Sequence, residues 1–157
     1  MLSLFIRNLF FTILQPGLVT GLIPLWILDF RVNSIVDEIW QLYHYIGVII
    51  FLIGFTVMLW CIISFAVEGQ GTLSPADPTK KLVLTGLYRI SRNPMYVGVI
   101  SILIGEAIFF KSTALWVYLV FVFIGFNTFV IRKEEPRLRK DLGEAYNAYC
   151  QKVRRWI

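Results

Sequence analysis

Charge, histidine and cysteine are all scarce in this chain: 16% of 157 residues are charged, ten of them acidic, with one histidine and two cysteines. No paired-cysteine spacing of the zinc type occurs, and His44, at the start of an apolar run, reads as an interfacial residue, so no metal centre is expected. Cys61 falls inside an apolar run and Cys150 in a polar tail. They are not expected to reach the Cα separation of about 5.5–6 Å that a disulfide needs. Internal repeats and low-complexity segments are also lacking, so residues 1–157 read as one domain.

Apolar residues fill the gap. They make up 57% of the chain, mean hydropathy is +0.70, and a soluble domain carries roughly 45–50%. The expected fold class is therefore an all-α integral membrane protein. A membrane helix needs about 20 mostly apolar residues, and four such segments are visible. The first runs from Leu4 to Leu28 with Pro16, Gly17, Gly21 and Pro24 as points of bending or close packing, and it reads as a retained anchor rather than a cleaved signal. The second runs from Leu42 to Val67. The third (Pro94 to Phe110) and fourth (Thr113 to Ile131) are separated only by Lys111 and Ser112, which predicts a tight antiparallel hairpin.

Thirteen of the fifteen basic residues lie in Arg7, the loop from Glu68 to Arg92, and the tail after Ile131. Because cytoplasmic loops retain lysine and arginine, both termini and the middle loop are expected in the cytoplasm. The formal net charge of +5 is explained by topology and anionic headgroups, so no nucleic-acid partner is expected; membrane lipids are. In the tail, Leu138, Leu142, Ala145, Tyr146, Tyr149 and Val153 recur at steps of three and four. This predicts an amphipathic cytoplasmic helix over roughly 134–153, with Trp156 anchoring its end at the headgroups.

Two polar islands then flank the last hairpin at its cytoplasmic end. Arg92-Asn93-Pro94-Met95-Tyr96 enters it and Arg132-Lys133-Glu134-Glu135 leaves it. Pro94 suits a first helical turn, whose free amides favour an anion. Opposite stand two carboxylates, and Tyr88 and Tyr96 add aromatic faces that attract soft cations. A ligand with a carboxylate, a cation and an aromatic ring suits this mixture, and S-adenosylmethionine has all three. Asn127 is a further candidate for the pocket wall. Glu106, the one acid inside a span, is a functional candidate by default, but its distance from the mouth favours a structural role, snorkelling toward Lys111.

Several ordered elements together resemble the isoprenylcysteine carboxyl methyltransferase family and, equally, its relatives among the phospholipid methyltransferases. They are Gly71-Thr72, Ser74-Pro75, Asp77-Pro78, Leu82-Val83, Thr85-Gly86-Leu87-Tyr88, Arg92 to Gly98, Glu134-Glu135 with Leu138, Gly143 with Tyr146 and Tyr149, and Val153 to Trp156. The resemblance covers about residues 68–157. It implies a membrane methyltransferase that binds S-adenosylmethionine from the cytosol and takes a lipophilic acceptor from the bilayer. Carried over position by position, it implies Lys80, Lys81, Leu82, Val83, Tyr88, Asn93, Pro94, Met95, Tyr96 and Glu134 as cofactor contacts. Eukaryotic members usually have histidine where this chain has Asn93; the short form and that asparagine look like a bacterial inner-membrane member.

A carboxylate acceptor needs a guiding cation, which makes Arg132, then Arg92, the expected handle. An amine acceptor needs a base, which points to Glu134 or Glu135. Glu135, Arg132 and Arg92 are accordingly the expected catalytic group. The isoprenylcysteine-type carboxylate is the first expectation, the aminophospholipid the second, and a non-catalytic membrane scaffold a third.

Overall fold

The computed structural model describes residues 16–29, 39–68 and 84–157. Lys80, Lys81, Leu82 and Val83, residues 4–15 of the first expected span and most of the middle loop lie outside the described residues. Within the described residues the fold is all-helical. A π-helical turn, Leu18–Leu22, leads into a short helix α1 (Ile23–Ile27). Then follow α2 (Leu42–Glu68), a 3₁₀ turn (Gly86–Arg89), α3 (Pro94–Phe109) and α4 (Thr113–Phe129). A second π turn (Val130–Glu134) joins α4 to α5 (Glu135–Lys152) without a break.

Local chemistry sets the ends of these elements. Pro94 occupies the first turn of α3, where its missing N–H costs nothing. At the other end Lys111 adopts a left-handed φ of 46°, and Ser112 Oγ accepts from Leu115 N at 3.3 Å, capping α4. Such a side-chain cap replaces one of the orphan amides of a helix start.

Two helices, α2 over Leu42–Ser64 and the run beginning at Thr113, are long and apolar enough to cross a membrane. Their apolar surfaces face outward: Ile53 is 57%, Trp60 56% and Phe121 69% exposed. Outward-facing leucine, isoleucine and aromatic residues along the whole length of a helix suit hydrocarbon and not water. Pro94–Phe109 and Leu18–Ile27 are apolar but shorter.

The tightest packing is between α2 and α3. A Cβ placed at Gly54 would stand 2.7 Å from the Gly98 carbonyl oxygen, and one at Gly47 would stand 2.8 Å from that of Gly105. The two helices therefore run antiparallel with their backbones in near contact at two glycine pairs. In a bilayer, close backbone approach replaces the hydrophobic driving force that lipid tails remove. Met58, Val99 and Ile102 form a buried cluster beside these contacts. α4 joins more sparsely, with Tyr96 near the start of α3 packed at a tilt against Phe126 near the end of α4, centroids 4.6 Å apart.

Three expectations change here. The amphipathic tail helix is broken at Gly143, whose φ of 54° and ψ of −127° reverse the chain; only a residue without Cβ takes that conformation cheaply. Its second half folds back so that Tyr146, Tyr149 and Val153 bury against Leu138 and Leu142. Trp156 does not stand free as a headgroup anchor: its ring packs at a tilt against Phe123, centroids 5.3 Å apart, and its indole donates to Asn127 Oδ1 at 3.3 Å. Glu106 is not paired with Lys111, whose ammonium sits 3.8 Å over the Tyr43 ring.

Candidate active site

The chain reversal at Gly143 brings the C-terminal residues onto the start of α3. Arg92 N donates to the Arg154 carbonyl at 2.9 Å. The Asn93 side-chain amide donates to the Arg155 carbonyl at 3.0 Å, and Ser91 Oγ donates to the same oxygen at 3.3 Å. Ser91 Oγ also accepts from Asn93 N at 3.1 Å. Sequence reasoning saw the two islands but missed this third strand of contact, which lies about sixty residues away from the first.

The two adjacent glutamates are held very differently. Glu135 is buried and receives a two-pronged contact from Arg155, Nε to Oε1 at 2.7 Å and Nη2 to Oε2 at 3.0 Å. Arg92 Nη1 adds a second ion pair at 3.2 Å. Burial alone would raise its pKa, but the Arg155 hydrogen bonds and the Arg92 charge outweigh that and hold the carboxyl below the ordinary glutamate value. Charge-assisted pairs of this geometry are the strong ones.

Glu134 instead accepts one hydrogen bond, from the Tyr96 phenol to Oε2 at 3.2 Å. Burial pushes its pKa up, against the opposing pulls of the Tyr96 hydrogen bond and the Arg137 charge. One carboxyl is thus tuned to stay ionised and its neighbour is tuned to take a proton more readily. Environments that separate two carboxyl pKa values separate acid–base roles. The division falls where the π turn ends, at Glu134, and π segments recur at functional sites.

Tyr88 closes another side. It is buried on the 3₁₀ turn, its carbonyl accepts from the Tyr149 phenol at 2.6 Å, and it packs with Cys61, Leu87 and Met95. Burial, followed by the nearby Cys61, pushes its phenol above the ordinary tyrosine value. Pro94 is buried, Met95 and Tyr96 are half-buried, and Asn93 gives the start of α3 no side-chain cap. The first amides of α3 have no intrahelical acceptor, and they are not covered by that asparagine.

The structure thus brings together Arg92, Asn93, Pro94, Met95, Tyr96, Tyr88, Glu134 and Glu135. Arg132 is exposed on the π turn, apart from the Glu135 cluster. Asn127 belongs to the tail contact through Trp156. Arg155 and Ser91 are the residues that sequence reasoning missed. Among the described residues no group of three or more histidine, cysteine or acidic side chains is placed to hold a metal ion.

A family model described as phospholipid methyltransferase matches residues 42–145, which include α2, α3, α4 and both glutamates. The chain belongs to the phospholipid methyltransferase family. Membership makes it a membrane methyltransferase acting on lipophilic substrates. It is also similar, at 32% identity over 63 residues, to a protein of uncharacterized function from Haemophilus influenzae; the match spans 40% of this chain and all of that protein. No solved structure matches.

The residues present fit the methyl donor that such chemistry requires. S-adenosylmethionine carries a sulfonium, an amino-acid carboxylate and an adenine. The half-buried Glu134 carboxyl with two flanking tyrosines suits the cationic part, and the uncapped start of α3 suits a carboxylate.

Proposed function

We propose that this chain is an S-adenosylmethionine-dependent lipid methyltransferase whose site lies between the start of α3, the π turn and the C-terminal tail. In this reading the protein crosses the bilayer four times, with the site and both termini in the cytoplasm. Tyr88, Asn93–Tyr96 and Glu134 hold the cofactor, and the family resemblance adds Lys80, Lys81, Leu82 and Val83, which lie outside the described residues. When bound, the cofactor supplies an electrophilic methyl group.

The observation that carries the choice of acceptor is the contrast between the glutamates. Glu135 is committed to Arg155 and Arg92, whereas Glu134 has a raised pKa and takes its hydrogen bond from the neutral Tyr96 phenol, burial outweighing that bond and the nearby Arg137 charge. A lipid amine arrives as an ammonium and must lose a proton to free its lone pair. Glu134 is suited to take that proton, because a base works best when its pKa is drawn toward the working pH. Tyr96 fixes the direction of the carboxylate. Glu135, Arg92 and Arg155 then act as positioning residues. An aminophospholipid headgroup is the favoured acceptor.

The isoprenylcysteine-type carboxylate is the second reading. It rests on the exposure of Arg132, one turn of chain before Glu135, where a guanidinium is accessible to an anionic acceptor. Such an acceptor is already ionised and needs no base. Purified protein given cofactor labelled in the methyl group and presented with phosphatidylethanolamine or a prenylcysteine separates the two readings. Label on the amine lipid, lost in Glu134→Gln, supports the first; label on the carboxylate, lost in Arg132→Ala, supports the second; label on neither overturns both.

A further inference from the structure

A cavity of about 330 Å³ lies between α1, α2 and α3, well away from the site described above. It is at the lower end of the roughly 300–1,000 Å³ range of small-molecule pockets. Leu25, Val48, Phe51, Phe109 and Phe110 give it an apolar and aromatic lining, and Glu106 is its one acidic group. Glu106 lies twelve residues beyond Pro94, about 18 Å along the helix. The cavity is therefore in the opposite half of the membrane from the methyl-transfer site.

Glu106 Oε2 is fully buried and has no hydrogen-bond partner. The neighbouring polar groups are already committed. Thr20, which also lines the cavity, donates to the Pro16 carbonyl at 2.8 Å. Tyr118 donates to the Val19 carbonyl at 2.9 Å, and the Lys111 ammonium rests on Tyr43. A buried carboxyl oxygen left without a partner in apolar surroundings is disfavoured, which favours any occupant that offers it one.

We propose that this cavity binds an amphiphile with an apolar chain and a primary amine, the amine seated on Glu106. An ammonium donates to the carboxylate and is drawn to the faces of Phe51, Phe109 and Phe110. If both groups are neutral, the amine accepts from the carboxylic acid, so the pair is satisfied in either state. A hydroxyl offers the hydrogen bond without the charge; an ester or hydrocarbon offers neither. The occupant is either the headgroup of an aminophospholipid or a free long-chain amine.

The test uses the full chain in detergent, without methyl donor, and a photoreactive medium-chain amine beside the matched alcohol and methyl ester. The amine is expected to label residues 24–28, 47–51 or 105–110 and to outcompete the alcohol and ester. Glu106→Gln should weaken amine labelling by about tenfold and leave the alcohol unchanged. Gly21→Phe should reduce labelling by both, since a Cβ at Gly21 meets nothing within 4 Å and a ring there fills the cavity. Thermal midpoints of both variants show that they fold. Competition by phosphatidylethanolamine but not phosphatidylcholine identifies the lipid headgroup as the source, and failure of both to compete identifies the free amine. Equal labelling by amine and ester, labelling confined to other segments, or amine labelling unchanged in a folded Glu106→Gln protein overturns the proposal.

Discussion

The Tyr96 phenol donates to Glu134 Oε2 at 3.2 Å, joining the first turn of α3 to the last residue of the π turn across 38 positions of sequence. That bond lowers the pKa of a carboxyl that burial raises. If Glu134 takes the acceptor's proton, kcat/KM should fall as pH drops through its raised pKa, above the ordinary glutamate range. Tyr96→Phe removes a lowering influence, so the acidic limb should move to higher pH. A pH–rate profile of both proteins checks this, and an unshifted limb argues against the role.

Glu134→Gln should weaken cofactor binding by at least about tenfold while leaving the fold as stable as before or more so. The sign follows from the raised pKa: ionised Glu134 costs the folded state free energy at neutral pH, and glutamine removes that cost. Calorimetric binding and a thermal midpoint in the same detergent test both halves.

Glu135→Gln has the opposite effect on stability. It leaves Arg92 and Arg155 facing each other's charge without a carboxylate, and losing one partner of a buried pair costs about 3 kcal/mol. Because the folded pKa of Glu135 lies below its ordinary value, this stabilisation is complete above the ordinary glutamate pKa. It is lost as pH falls through the depressed value. The thermal midpoint of wild type should therefore drop more steeply with acid than that of the variant.

Gly98→Ala should destabilise the α2–α3 pair by about 1–3 kcal/mol, since its Cβ would lie 3.0 Å from the Gly54 carbonyl oxygen and from Met58 N. Gly125→Ala, where a Cβ meets nothing within 4 Å, should be neutral or stabilising. Parallel thermal midpoints make the comparison, and equal effects would argue against backbone contact at the glycine pairs.

Much of the helix pattern was legible because apolar run length and end signals act locally. Leu42–Val67, Pro94–Phe110 and Thr113–Ile131 anticipate α2, α3 and α4 to within two residues, and Pro94 marks its helix start as expected. The reversal at Gly143 was not read: the apolar period continues on both sides of it, and a lone glycine in a helical pattern is tolerated often enough to pass unnoticed. Without that reversal, the contact of Arg155 with Glu135 cannot be anticipated, and the two glutamates look alike. The seven-residue spacing of Gly47 with Gly54 and of Gly98 with Gly105 was a readable sign of close helix packing, and it was missed. The two islands were recognised as one site from residue chemistry, but which carboxylate is ion-paired with arginine and which is held by a phenol depends on tertiary contacts alone.

The central claim is that Glu134, at the meeting of α3 and the π turn, belongs to a working methyl-transfer site. Its most direct test is transfer of labelled methyl from S-adenosylmethionine to phosphatidylethanolamine by purified wild-type and Glu134→Gln protein, matched for thermal stability. Cofactor-dependent labelling of the lipid amine by wild type, reduced at least about a hundredfold in the variant, is the predicted result. Equal labelling by the two proteins, or no labelling and no cofactor binding by a folded wild-type protein, would contradict it.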